Sequence, residues 1–371
     1  MNFSKLDEFL DNAINMTGVP GSHIVIHRKG EKIYEKKTGY SDIEKKIPIV
    51  GNETYDMYSC SKILTCITAL TLLEKGVYHL DDPVSTYLPE YANIRVFCPN
   101  GVDSRPAKTV LTVRHLFSMT GGISYADRPA VDKAIREGKT STRDIVKAMS
   151  EDPFVFDPGE GYMYSWCHDI LGACIEVWSG KTLGEYCKEA VLDPLGMSET
   201  SYLQRPDLVA RKAKKYKNDS LTDATAREPF ETDKFHFTKE YESGGAGVIS
   251  TVDDFIKLLD GIILGKVVSR STLKLMYTPQ LNAKQYEMAS RDWWCMRGHS
   301  YGLGVKILTD PATADNNAPA GIFGWDGWAG SVAILDPTTD TTIFYAQHMM
   351  YSMQGKFEPR LTNVIYGCLE D

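Results

Sequence analysis

Residues 54–76 read TYDMYSCSKILTCITALTLLEKG, and two patterns overlap there. Ile63, Leu64, Ile67, Leu70 and Leu73 recur with the period of a buried helix, and Gly76, after Glu74 and Lys75, reads as its stop. At the head of the same stretch, Ser59-Cys60-Ser61-Lys62 puts a hydroxyl and an amine three residues apart, on one face of a helix. Ser59 then lies in the first turn, where unpaired N–H groups and the positive end of the helix dipole favour a developing negative charge. The segment therefore predicts both a buried helix and a serine nucleophile at its start.

A serine hydroxyl is a weak nucleophile at neutral pH and needs a base beside it. Lys62 is the local candidate. An ordinary lysine titrates near 10.4, and lowering it by about three units costs about 4 kcal/mol, which burial supplies. The alternative is that Lys62 stays charged and holds a tyrosinate that moves the proton; the residues leave both open. A second S-x-x-K, Ser271 to Lys274, reads instead as a helix N-cap followed by a solvated lysine. Elsewhere, Cys167-His168-Asp169 holds the members of a nucleophilic set, but consecutive helical residues diverge and cannot meet. There is no H-E-x-x-H or C-x-x-C in the chain, which argues against a metal enzyme. Gly244, Gly245 and Gly247 lack the following lysine of a phosphate loop and read as a tight turn near the active-site wall.

Outward from this helix, SHIVIHRKG and EKIYEKKTGYSD predict two strands joined around Gly30, while VKIL, WAGSVAILD and TTIFYAQHM predict C-terminal strands and PRLTNVIYGCL a final helix. Helices are expected near 59–75, 168–179, 182–191 and 252–264. The fold class is thus α/β of the α+β kind: an antiparallel sheet flanked by helices, with an inserted mostly helical region. We read one domain over 1–371, with 1–57 and 243–371 forming the sheet region and 58–242 the helical one. Residues 209–242 are charged and poorly periodic, a surface excursion or a rim over a pocket. Trp293, Trp294 and Tyr301 are candidate walls for an apolar group.

The composition narrows the partners. Net charge is −8 and hydrophobic residues make up 43% of 371, so nucleic acid and anionic membrane are not the expected partners. No stretch reaches the length of a membrane span, and the acidic amphipathic N-terminus lacks the features of a secretory signal. Eight cysteines without metal spacing fit a reducing compartment, so a cytoplasmic location is expected. No metal or cofactor is expected.

LDDPVSTYLPEY (80–91), LTVRHLFSMTGGISY (111–125), PGEGYMYSWCHDILGACIEVWSG (158–180), LDPLGMSETSY (192–202), GGAGVISTVDDFIKLL (244–259) and FGWDGWAGSVAILDP (323–337), taken in order with the S-x-x-K of Ser59, resemble the serine β-lactamase and penicillin-binding-protein family, in the branch that holds class C β-lactamases, D-peptidases and related esterases. The resemblance implies that fold, with Ser59 acylated, Lys62 its partner and Tyr164 the phenol that activates the hydroxyl and later the deacylating water. That role asks for a phenol pulled below its usual pKa of about 10 by a cation such as Lys62. It further implies an oxyanion hole from the amides of Ser59 and Trp328.

Two departures matter. Tyr164-Ser165-Trp166 stands where the β-lactamases have tyrosine-any-asparagine, so the amide that binds an acylamino group is missing. Trp325-Asp326-Gly327 stands where they have a cation followed by threonine and glycine, which resembles the family's carboxylesterases and some acyltransferases. Trp166, Trp325, Asp326 and Gly327 are thus the expected substrate-binding residues. Strand alternation puts Trp325 and Gly327 on one face and Asp326 on the other, and Gly327 permits a close backbone approach. The expected function is a cofactor-free serine hydrolase that cleaves neutral small-molecule esters or amides through an acyl-enzyme. An acyltransferase, a β-lactamase or D-peptidase, and a non-catalytic binding protein are the alternatives. The oligomeric state is not legible.

Overall fold

In the computed structural model, residues 1–126, 128–218, 220, 226–232, 234–351 and 354–369 are described. Helix α1 (Ser4–Asp11) leads into strands β1 (Gly21–Arg28) and β2 (Glu31–Asp42). They form a hairpin whose turn residues Lys29 and Gly30 have φ of 56° and 80°; two successive positive φ values match the right-handed twist of paired strands. After β3 (Ile47–Pro48) and β4 (Thr54–Asp56) comes the quoted segment, which forms helix α2 (Ser61–Glu74). Helix α3 (Cys167–Ser179), strand β5 (Ile249–Thr251) and helix α4 (Val252–Ile263) follow. The chain ends in β6 (His299–Tyr301), β7 (Lys306–Leu308), β8 (Phe323–Asp326), β9 (Val332–Asp336), β10 (Thr341–Gln347) and α5 (Gln354–Leu369).

Among the described residues, one sheet has eight strands in the order β6-β7-β8-β9-β10-β1-β2-β3, antiparallel at every pairing. Alternation divides its side chains between two cores. Ile24, Ile26, Ile334, Ile343 and Tyr345 pack on one face with Leu6 and Leu10 of α1 and Leu361 and Ile365 of α5. Val25, Ala333, Leu335 and Phe344 pack on the other, with α4 and the helical region. Phe255 of α4 stacks on Phe344 at 4.4 Å.

Helix α2 is the buried helix expected, with every residue from Ser61 to Leu72 buried. A helix wrapped on all sides must satisfy its polar groups internally. The threonines between the apolar positions do so: Thr68 donates to the Leu64 carbonyl at 2.7 Å and Thr65 to that of Gly244 at 2.6 Å. The expected final helix begins at Gln354, before Pro359, which it carries inside. The second S-x-x-K lies in a helix over Arg270–Met276, but its cap is Ser269, which accepts from the Thr272 amide, and not Ser271.

Candidate active site

The nucleophile's position follows from backbone geometry. β4 pairs antiparallel with β5, and a single 3-10 turn over Tyr58–Cys60 links it to α2. Tyr58 has φ of 44°, the left-handed region that costs a bulky residue about 1–3 kcal/mol. Its ring is held against Phe235 and Trp328, with centroids at 6.0 and 5.6 Å, and its hydroxyl accepts from Lys215 at 3.4 Å. The turn leaves Ser59 half-exposed between buried Tyr58 and buried Cys60.

Lys62, one turn on, is wholly buried. Its Nζ donates to the Ser59 hydroxyl at 3.2 Å, the Tyr125 hydroxyl at 3.1 Å and the Gly245 carbonyl at 2.6 Å. Burial pulls its pKa down to about 8, against the opposing pull of the Asp169 carboxylate. Asp169, on the first turn of α3, is fixed by Tyr241 and Ser243, which donate to it at 2.6 and 2.7 Å. The predicted glycine turn thus touches the site directly, through the Gly245 carbonyl and through Gly244, where a Cβ would lie 2.3 Å from the His168 carbonyl. His168 and Cys167 take packing places: His168 Nε2 faces the Phe117 carbonyl at 3.2 Å, and Cys167 Sγ accepts from Ser165 at 3.2 Å.

Tyr164 joins them from far along the chain. The Lys62 ammonium lies over its ring face, 4.5 Å from the centroid, while its hydroxyl accepts from Trp325 Nε1 at 2.7 Å. The surroundings do not favour the lowered phenol pKa that a tyrosine base asks for. Burial pushes Tyr164 well above its ordinary value, assisted by the neighbouring Tyr125 and Tyr301, and hydrogen bonding with Ser59 opposes this only weakly. Burial favours the neutral form of both groups, and of the two it is the lysine that is thereby made available as a base.

The third motif is also revised. Trp325 is 1% exposed and stacks on Tyr164 at 5.2 Å, so it holds the phenol instead of presenting an open wall. Asp326 points to the other face of β8, as alternation requires, with its carboxylate 3.4 Å from Lys306, which also bonds Glu358; this removes it from the substrate-binding group. At Gly327 a Cβ would lie 2.2 Å from Ser331 Oγ and 2.5 Å from the Met57 carbonyl. The close approach there is to the strand end before Ser59, and it brings the Trp328 backbone beside the nucleophile turn. Trp166, at the start of α3, is buried, with ring centroids 4.7 Å from Tyr125 and 5.3 Å from Phe237.

Trp293 borders Tyr164 at 4.6 Å and Tyr301 is edge-on to Trp325 at 5.1 Å; the Trp294 side chain lies outside the described residues. Sequence reasoning missed Tyr125, which closes the segment ending GGISY, and Phe235, hidden inside the charged excursion. Among the described residues, no group of three or more His, Cys, Asp or Glu could hold a metal ion, and no helix is long and apolar enough to cross a membrane.

This seam, a serine in the turn before α2 and a lysine in that helix's first turn with a phenol from the far side, sits on the fold of the serine-active penicillin-recognising proteins. The beta-lactamase family model matches residues 6–364, and the chain belongs to that family. Esterase EstB of Burkholderia gladioli is 25% identical over 98% of this chain and 95% of its own. Monacolin J acid methylbutanoyltransferase of Aspergillus terreus is 27% identical over 75% of this chain and 73% of its own. Among solved structures, EstCE1, a hydrolase with promiscuous acyltransferase activity, superposes with a TM-score of 0.82 at 24% identity, covering 98% of both chains. Simvastatin synthase (LovD) from Aspergillus terreus gives 0.83 at 22% identity over 98% of this chain and 97% of its own.

Proposed function

We propose that this protein is a serine hydrolase that cleaves neutral small-molecule esters through an acyl-enzyme on Ser59. The observation that carries the reading is the buried Lys62 amine, 3.2 Å from the Ser59 hydroxyl with a pKa lowered to about 8. In its neutral form Lys62 accepts the serine proton as Oγ attacks the ester carbonyl. The amides of Ser59 and Trp328 hold the tetrahedral oxyanion, each donor typically worth about 3–4 kcal/mol. Lys62 returns the proton toward the leaving oxygen, with Tyr164, kept a neutral phenol by burial, as the hydrogen-bond donor that steadies it. Water then enters by the same route and releases the acid.

The substrate class follows from charge. Tryptophan stands where the β-lactamases carry a cation, and Lys306 is committed to Asp326 and Glu358 behind the sheet. The third motif therefore offers no cation to a β-lactam or peptide carboxylate. A second reading, transfer of the acyl group to an alcohol, is supported by the aromatic crowd of Tyr58, Phe235 and Trp328 around the nucleophile turn, which disfavours water, and by the names of the transferase relatives. A cytoplasmic site of action belongs to the same proposal.

Labelling with a fluorophosphonate and mapping the adduct tests the reading. Adduct on Ser59, lost in Ser59→Ala together with turnover, supports it. Adduct on Ser271, or none on a folded protein, rejects it. Products formed with a competing alcohol separate hydrolase from transferase, and efficient nitrocefin turnover overturns the assignment of substrate class.

A further inference from the structure

Asp56, the last residue of β4, carries a buried carboxylate shortly before the nucleophile. Its partners come mainly from the charged excursion, whose first stretch runs beside β4: the Thr54 amide donates to the Arg211 carbonyl at 3.2 Å, and the Ala213 amide donates to that of Thr54 at 3.0 Å. From this stretch Lys212 reaches both Asp56 oxygens at 3.2 Å, and Lys215, itself buried, reaches one of them at 2.8 Å. Gln204 donates to the other at 3.3 Å, and Glu231 faces Lys215 at 3.3 Å. Burial penalises the Asp56 carboxylate, yet its basic neighbours outweigh this and hold it well below the usual carboxylate range. A buried charge is kept in place by its partners, so this cluster is a fixed point within an otherwise solvated segment.

The fixed point grips the nucleophile turn. The Lys215 ammonium also donates to the Tyr58 hydroxyl at 3.4 Å and lies over the Tyr58 ring, 5.9 Å from its centroid. Tyr58 is the residue whose φ of 44° turns the chain toward α2, and a bulky side chain stays in that conformation only where its surroundings over-determine it. The Ser59 N–H belongs to the planar peptide unit that follows Tyr58. The way Tyr58 is held therefore sets where that donor points, and an oxyanion donor is effective only when it is already aimed at the developing charge.

Resting on the acyl-enzyme reading, we propose that Lys215 and Asp56 are positioning residues of the reaction: their buried ion pair, acting through the Tyr58 side chain, holds the left-handed turn that aims the Ser59 amide at the oxyanion. Neither residue touches substrate. The charged excursion thereby serves the chemistry from behind the nucleophile.

The test compares the wild type with Tyr58→Phe, which keeps the ring and the ion pair, with Lys215→Met, and with Asp56→Asn/Lys215→Met, which removes both charges. Each protein is measured for kcat and KM on p-nitrophenyl acetate, for Tm, and for the rate at which a fluorophosphonate modifies Ser59, since the phosphoryl oxygen of that probe takes the oxyanion's place. In Lys215→Met and the double variant, kcat and the labelling rate should both fall by at least about tenfold, with KM within about twofold of wild type. Loss of the single hydrogen bond in Tyr58→Phe should lower both rates by about threefold. Lys215→Met should also lower Tm by stranding a buried carboxylate, and the double variant should regain most of that loss without regaining the rate. Rate and Tm recovered together in the double variant, or wild-type labelling rates in Tyr58→Phe and the double variant, overturn the inference. Should Lys215→Met fail to fold, Tyr58→Phe and the double variant decide it. An unlabelled Ser59 in the wild type refutes the acyl-enzyme reading itself, whereas wild-type labelling that the variants leave unchanged refutes the positioning role alone.

Discussion

If Lys62 is the base, the pH profile must carry its signature. The amine works only when neutral, and with a pKa of about 8 roughly one molecule in ten is competent at pH 7 and nine in ten at pH 9. For a p-nitrophenyl ester, kcat/KM, which reports the free enzyme, should therefore rise about tenfold between those values through a single midpoint near 8. Burial lowers this group and the Asp169 carboxylate works against burial. Asp169→Asn should consequently move the midpoint down, by about one unit on the usual scale for a nearby opposite charge. The assay is initial rate against pH, corrected for hydroxide-driven hydrolysis, with Ser59→Ala as the blank. A flat rate from pH 6 to 9, a midpoint near 10, or an upward shift in Asp169→Asn would refute the assignment of the base.

The same lowering has a cost in stability. A lysine whose folded pKa is below its unfolded 10.5 binds fewer protons folded than unfolded between about 8 and 10.5, so stability rises with pH across that window and is reduced by about 3 kcal/mol below it. Lys62→Met removes this penalty while losing three hydrogen bonds, so at pH 7 its Tm should not fall below that of the wild type although turnover disappears; a drop of more than about 5 °C contradicts the account. Trp325→Phe leaves the Tyr164 hydroxyl without its donor, a loss of about 1–3 kcal/mol, and should lower kcat about 5- to 150-fold with KM little changed; kcat within twofold of wild type counts against the positioning role. Gly327→Ala forces a Cβ against the Met57 carbonyl and Ser331 hydroxyl, so a loss of about 1–3 kcal/mol in denaturant unfolding, with a fall in kcat, is expected; an unchanged unfolding midpoint goes against it.

What could be read from the sequence was local. Ile63, Leu64, Ile67 and Leu70 announced a helix, and the i, i+3 spacing of Ser59 and Lys62 survives as a 3.2 Å contact, because helical geometry needs no knowledge of the rest of the chain. The hairpin of β1 and β2 and the alternation that turns Asp326 away from the site were legible for the same reason. The partners of Lys62 were not. Tyr125 lies 63 residues away and Gly245 lies 183, and no periodicity encodes which carbonyl will meet an amine across the core. The pKa order of Lys62 and Tyr164 stayed open in the sequence because it depends on burial and on whether the ammonium faces the hydroxyl or the ring, a matter of packing angle. Phe235 was concealed by its surroundings: a run of charges marks a surface strand of chain but does not say that one aromatic side chain in it turns inward.

The tryptophan of the third motif links these observations. A cation at that point would reach for a substrate carboxylate, and it would also sit within the field of Lys62 and lower it further. Trp325 does neither; it donates one neutral hydrogen bond to Tyr164 and leaves Lys62 as the ammonium nearest the nucleophile. The other lysine of this neighbourhood, Lys306, is on the reverse face of β8, where Asp326 and Glu358 raise its pKa and keep it charged and occupied. Asp326 is in turn pushed up by burial and by Glu358, so that set behind the sheet approaches neutrality. The field at Ser59 is thereby governed by one titrating amine and its opposing Asp169. With tryptophan in place of the third-motif cation, discrimination among substrates falls largely to shape, and the aromatic rings around Phe235 contribute to it.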